Sequence, residues 1–192
     1  MIEEYKRILR QMLTKKRYEH SLCVADEAVR LAQKYGCDTE KAFLAGLLHD
    51  ILKDTPGKEQ LQIMSELGII PTEIELNAPK LWHAMAGSEY LRRKFNMPDD
   101  IVMAVRYHTT ARSNMSLLEK VLYLADYTSA DRDYDGVDEM RKAVEISIAA
   151  AMKVALKFTI EDLSSRSLPI HPDTFMAYNE IMLSKTDKSE PA

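Results

Sequence analysis

Four of the five histidines in this chain, His20, His49, His83 and His108, fall in or beside apolar helix faces, and two acids, Asp50 and Asp126, occupy similar positions. The most concentrated case is Leu47-Leu48-His49-Asp50, at the end of a run from Ala42 to Leu52 in which nearly every residue is apolar or small. A helix that is apolar on all sides belongs in a protein interior. An ionised carboxylate is buried there only when it is paired or bound to a metal. Neutral imidazoles and carboxylates, with no thiolate among them, suit iron, manganese, zinc or nickel. His20, His49, Asp50 and Asp126 make a four-ligand set for one ion. His83 and His108, sharing Asp50 as a bridge, complete a site for a second ion at the ~3.5–4 Å spacing of two-metal centres. Taken singly, each residue has a plainer role, as a hydrogen-bonded core histidine or, for Asp126, a cap on the next loop. Four buried imidazoles without a metal would have no equivalent stabiliser, and this favours the metal reading.

The elements that must position these groups all read as helices. Ile2, Tyr5, Ile8, Leu9 and Leu13 give an amphipathic helix over Met1–Leu13, followed by a basic turn at Lys15-Lys16-Arg17. The next helix is expected from Tyr18 to Tyr35, ended by Gly36, with His20 on the stripe of Val24, Ala28 and Leu31. Asp38 can cap the central apolar helix, which is expected to run through His49 and Asp50 to Leu52. Thr55-Pro56 reads as a cap followed by proline at the first helical position. Pro71 and Pro79 punctuate a segment with a short acidic helix. Pro79 then opens a helix carrying His83, where Gly87, one turn on, is expected to leave space beside the imidazole. A further helix starts at Pro98-Asp99 and ends at His108. Ser116-x-x-Glu119 is a capping box for the helix that carries Asp126. Met140, Val144, Ile148, Ala151 and Ala155 predict one long helix, and Asp173–Leu183 a last one. No period-2 strand pattern and no internal repeat is present. The expected architecture is all-α, a single compact helical bundle over 1–184, with a polar, disordered tail at 185–192.

Length and composition set outer limits. The 192 residues suffice for one domain with a large core. A net charge of −4 argues against binding a nucleic-acid polymer or an anionic membrane, but leaves room for a phosphorylated small molecule. No apolar run approaches the ~20 residues of a membrane span, and the polar start is unlike a signal peptide, so a cytoplasmic protein is expected. Cys23 and Cys37 form no CxxC pair and are expected to be reduced. The methionines (Met64, Met85, Met97, Met103 and Met115 among them) suit core gap-filling, or an adaptable homodimer interface.

The order His20, His49-Asp50, Asp126 resembles the H…HD…D signature of the HD-domain metal-dependent phosphohydrolases, and the interposed His83 and His108 resemble the subset with a binuclear centre. More narrowly, the chain is similar to the YqeK family of bacterial HD proteins. The resemblance rests on Tyr18-Glu19-His20-Ser21, Gly46 to Lys53, Tyr107-His108-Thr109-Thr110, Leu124-Ala125-Asp126-Tyr127, Arg132 to Val137 and Ile170-His171-Pro172-Asp173-Thr174. These stretches extend from the second helix to the last. What the resemblance implies is an HD-domain fold and symmetric hydrolysis of diadenosine tetraphosphate to two ADP. It also implies a di-iron centre, with manganese or zinc suited to the same donors. The expected reaction is in-line attack of a metal-bridging hydroxide on phosphorus, with no protein nucleophile.

Around that centre, Asp50, Lys53 and Arg132 are the expected catalytic groups. Lys53 lies three residues after Asp50, on the same expected helix face, and is assigned to a substrate phosphate as a point charge. Arg132 follows Asp126 by six residues and can grip a phosphate bidentately; the alternative is an ion pair with Asp131, Asp133 or Asp135. Thr109 and His171 are expected at the substrate or as helix caps, and His83 at the substrate as well as the metal. Tyr127 and Tyr134 are open to base stacking or core packing. Rival readings are an HD phosphohydrolase of another nucleotide, such as a nucleoside mono- or triphosphate or a guanosine alarmone, and a non-catalytic nucleotide or metal sensor.

Overall fold

Capping chemistry sets where the helices begin in the computed structural model, which describes residues 2–184. After α1 (Ile2–Met12), Thr14 accepts the Arg17 N–H at 3.3 Å and starts α2 (Lys15–Tyr35), so the basic residues expected as a turn form the first helical turn instead. The change places Arg17 one turn ahead of His20, on the same face. Asp38 accepts the Glu40 and Lys41 N–H groups and starts α3 (Thr39–Leu48).

The central helix is shorter than expected. It ends at Leu48, and the chain continues through successive turns closed by Ile51 N–H to Leu48 O (3.1 Å), Lys53 N–H to Asp50 O (2.9 Å) and Thr55 N–H to Leu52 O (3.2 Å). The Gly46 carbonyl, which a continuing helix would use for the Asp50 N–H, is taken by His49 Nδ1 at 2.7 Å. Ile51 and Leu52 stay buried, so the apolar run reads like helix although its last part is not.

Next come α4 (Gly57–Glu66), α5 (Glu73–Leu76), a 3-10 turn (Pro79–Leu81), α6 (Trp82–Phe95), α7 (Asp99–Tyr107) and α8 (Leu117–Thr128). Pro56 stands one position outside α4 and Thr55 does not cap it, while α5 and α8 begin with the capping boxes Thr72/Glu75 and Ser116/Glu119. The expected long helix is two, α9 (Val137–Ile146) and α10 (Ile148–Ser165). Ser147 is extended between them and accepts the Ala150 N–H at 3.0 Å. A one-residue break leaves the apolar periodicity intact across it, and for that reason the pattern hides it. Finally, α11 (Pro172–Leu183) is capped by His171, whose Nδ1 accepts the Asp173 N–H at 3.1 Å. The tail expected at 185–192 lies outside the described residues.

Helix α8 is central, packing on α2, α3, α7, α9 and α10, with Val121 through Ala125 buried. Apolar side chains from α1 to α11 join one core, and no described helix is long and apolar enough to cross a membrane. The tightest approach is between α2 and α3. A Cβ on Gly46 would lie 2.7 Å from the Ala25 Cα and 2.9 Å from its N, so only glycine lets these two backbones meet. That contact brings His20 on α2 next to His49 and Asp50.

Candidate metal centre

The structure brings all six expected ligands together. His20 comes from α2, His49 and Asp50 from the end of α3, His83 from α6, His108 from the end of α7 and Asp126 from α8. Their donor atoms form three overlapping triads, His20/His49/Asp50, His49/His108/Asp126 and Asp50/His83/His108, each within 4.8 Å. The two Asp50 oxygens divide the cluster. Oδ2 lies 3.4 Å from His49 Nε2, while Oδ1 lies 3.1 Å from His83 Nε2 and 3.6 Å from His108 Nε2. On the other side, Asp126 Oδ1 is 3.0 Å from His20 Nε2 and 3.9 Å from His49 Nε2.

Hydrogen bonds on the far side of three rings decide what these nitrogens present. His49 Nδ1 meets Gly46 O at 2.7 Å, His108 Nδ1 meets Val105 O at 2.7 Å, and His20 Nδ1 meets Asp131 Oδ2 at 2.8 Å. The carbonyl partners of His49 and His108 fix the proton on Nδ1 and leave Nε2 facing the cluster, the arrangement usual for metal-bound histidine. His20 instead meets a carboxylate at each nitrogen, Asp131 on Nδ1 and Asp126 on Nε2 at 3.0 Å. Lone pairs facing carboxylate oxygens repel unless a cation lies between them. His49 Nε2 and Asp50 Oδ1 are buried with no hydrogen-bond partner. Unsatisfied buried atoms are costly, and a divalent ion would satisfy both, so the donor set fits a metal.

Protonation states agree with this. Burial opposes ionisation of Asp50, but His49, His108 and His83 outweigh it and hold its carboxyl well below the usual range. Burial likewise opposes ionisation of Asp126, which His20 and Arg132 hold well below its ordinary value. Burial pushes His83 down to about 4 and also lowers His108, keeping both rings neutral. His49 differs. Its burial favours the neutral form, yet Asp50 and Asp126 raise it, so the carboxylates that would draw a metal also draw a proton.

Cations flank the cluster. Lys53 sits on the turns after α3 and not on a helix face; its Nζ is 3.2 Å from His83 Nε2 and 3.9 Å from Asp50 Oδ1. Burial lowers its pKa against the pull of Asp50. Arg132 donates to the Asp126 carbonyl at 2.6 Å and to Asp126 Oδ1, and not to the neighbouring acids of its own loop. Arg17, unassigned by the sequence pattern, donates to Asp50 Oδ2 at 2.8 Å. Only its place one turn before His20 hints at this role. The loop acid Asp131, on His20 Nδ1, is equally unmarked in the sequence.

A cavity of about 690 Å³ opens beside the cluster, reached through Lys53, His108, Asp126 and Arg132. Thr109 and His171 line it, and Thr109 Oγ1 is buried without a partner. His171 combines the two roles left open for it, capping α11 and facing the cavity, with Nε2 3.5 Å from Glu75 Oε1. Tyr127, Tyr134 and Phe158 form an aromatic wall; the Tyr134 and Phe158 ring centroids lie 5.3 Å apart. His83 stands behind Lys53, off the cavity wall. Gly87 does not make room for its ring: a Cβ there would meet Ile51 Cγ2 at an ordinary 3.5 Å.

A family model described as HD domain matches residues 17–131. A Bacillus subtilis protein named bis(5'-nucleosyl)-tetraphosphatase, symmetrical, is 39% identical over 92% of this chain and 95% of its own length. A Halalkalibacterium halodurans protein of the same name is 36% identical over 92% and 94%. The crystal structure of a Clostridium acetobutylicum protein, described as a predicted HD superfamily hydrolase involved in NAD metabolism, superposes with a TM-score of 0.91 at 37% identity. The match covers 95% of this chain and 97% of that one.

Proposed function

The chain belongs to the HD-domain family and to its YqeK branch, and from that membership we propose that it is a metal-dependent hydrolase that cuts diadenosine tetraphosphate symmetrically into two ADP. The observation that carries the reading is the pair of orphaned atoms, His49 Nε2 and Asp50 Oδ1, aimed into a cluster that opens on a nucleotide-sized cavity. Two divalent ions would be held, one by His20, His49, Asp50 and Asp126, the other by Asp50, His83 and His108. Iron is the assignment, and manganese or zinc would suit the same donors. Bound there, the ions supply the Lewis acidity that activates water and offsets charge on the phosphoryl oxygens.

The chain's own groups do the rest. Asp50 faces one triad with each oxygen and so fits the role of a bridging carboxylate. Lys53 and Arg132 stand where the cavity meets the cluster and hold the phosphates, Lys53 as a point charge and Arg132 through a planar fork. The aromatic wall of Tyr134 and Phe158 offers a stacking surface for a base. Thr109 Oγ1 supplies a hydroxyl to a phosphate. Symmetric cutting follows if one nucleoside and its first two phosphates fill the cavity, placing the second phosphorus at the ions.

Product chromatography after anaerobic Fe(II) loading tests this, with diadenosine tetraphosphate as substrate. ADP as sole product is expected. AMP with ATP would overturn the symmetric cut, and no turnover despite two bound ions would favour another nucleotide or the sensor reading.

A further inference from the structure

Three of the cluster's histidines have a fixed Nδ1 partner, and one partner differs in kind. His49 and His108 are held by backbone carbonyls, whereas His20 is held by the carboxylate of Asp131 at 2.8 Å. The loop that delivers Asp131 is itself tied down. Asp131 Oδ1 accepts from Ser129 Oγ at 2.8 Å. Arg141 on α9 donates to the Thr128 carbonyl at 3.3 Å and to the Ser129 and Arg132 carbonyls at 3.0 Å each. The next residue, Arg132, approaches the opposite end of the same ring, with Nη2 3.4 Å from His20 Nε2. One dipeptide thus brackets the imidazole, its acid on Nδ1 and its base beside Nε2, where Asp126 Oδ1 also lies at 3.0 Å.

We propose that Asp131 is a positioning residue for His20, fixing the Nδ1–H tautomer, aiming Nε2 into the cluster and making this imidazole a stronger metal donor than its carbonyl-held neighbours. A carboxylate behind a ligating histidine orients the ring and increases its basicity, and losing such a partner weakens metal binding by about 10–100-fold. A carbonyl orients the ring but carries no net charge. The inference rests on reading the cluster as a metal centre. It adds a coupling: the loop that aims the first ion's histidine also carries the arginine that meets the phosphates, so ion and substrate bear on one short segment.

The test measures manganese(II) affinity by the loss of the free ion's electron paramagnetic resonance signal, in the parent, Asp131→Asn and Asp131→Ala proteins, alongside thermal melts of each without metal. Asparagine keeps an acceptor for Nδ1–H and loses the charge; alanine loses both. The expected result is weakening by about 10–100-fold in the alanine protein and by less in the asparagine protein. The metal-free asparagine protein should melt with the parent, because it keeps the acceptor and the Asp131 side chain is 34% exposed. If the alanine protein also melts lower, the asparagine protein decides: weaker binding at a parental melting temperature supports the assignment, and parental binding overturns it. Equal affinity in all three overturns it as well. Failure of the parent to bind manganese(II) would remove the metal centre itself and the assignment with it.

Discussion

The cluster and the cavity beside it are built to different standards. At the cluster, His20, His49, Asp50, His83 and His108 are each no more than 4% exposed and lie within core-packed helices or directly after them. The cavity's outer walls come from a four-residue helix with its 3-10 turn and from the connection between α10 and α11, where Leu168 is 39% exposed. Those walls are pinned at one point. Glu75 accepts from Arg106 Nη2 at 2.7 Å and from its own cap residue Thr72, and lies 3.5 Å from His171. Groups placed on packed helices are positioned more closely than groups on loops, and loops tolerate more change. On the function proposed above, bond cleavage would fall to the core-packed part and recognition of the base to the part easier to alter.

Substitutions that break the rigid part should have the largest effect. Asp50→Ala removes the carboxylate that belongs to two of the triads, as His49 and His108 also do, and turnover should fall to background with loss of bound metal, measured by steady-state assay and elemental analysis. Activity with both ions retained would refute the bridging role. Lys53→Ala and Arg132→Ala lie at the boundary. Each removes a charge-assisted contact of about 1.5–3 kcal/mol, so KM should rise by about 10–100-fold. Metal content should be unchanged. On the recognition side, Tyr134→Ala or Phe158→Ala should cost about tenfold in KM, at the lower end of base-stacking energies of about 1–3 kcal/mol. An unchanged KM would assign the aromatic wall to packing alone.

The smallest effect belongs to the pin. Burial opposes ionisation of Glu75, but Thr72 and Arg106 outweigh it and lower its pKa in the folded protein below the ordinary 4.5. A carboxyl whose folded pKa lies below its unfolded value stabilises the fold above the unfolded pKa. That contribution is lost as the pH falls through the folded value. The parent should therefore melt higher than Glu75→Gln at neutral pH, and the two curves should converge in acid below about pH 4.5. Parallel curves would show that Glu75 does not pin the walls through its charge.

The same division explains what could be read from sequence. Histidine and aspartate are conspicuous inside apolar runs, so the six cluster residues stand out without any structure. The capping boxes at Thr72/Glu75 and Ser116/Glu119 are equally local and equally legible. Arg17 and Asp131 meet the cluster through pairings 33 and 111 residues apart in sequence, to Asp50 and His20; Asp131 has no local mark, and Arg17 only its place one turn before His20. The end of α3 is hidden because buried turns and buried helix share one apolar composition. The break at Ser147 is hidden in a similar way, because the apolar periodicity runs across it unbroken.

His49 and His108 each occupy the position just past a helix, at the ends of α3 and α7, and their rings lie 5.0 Å apart. Two helices thus end at one point. Each helix end carries roughly half a negative charge from its aligned peptide dipoles. With Asp50 and Asp126 beside them and Arg17, Lys53 and Arg132 at the margin, this is a focus of negative charge to which the backbone contributes as well as the side chains. It is the inverse of the helix N-terminus that receives phosphate. A divalent cation held at this point would therefore meet partial charge from two helix ends as well as from the two carboxylates.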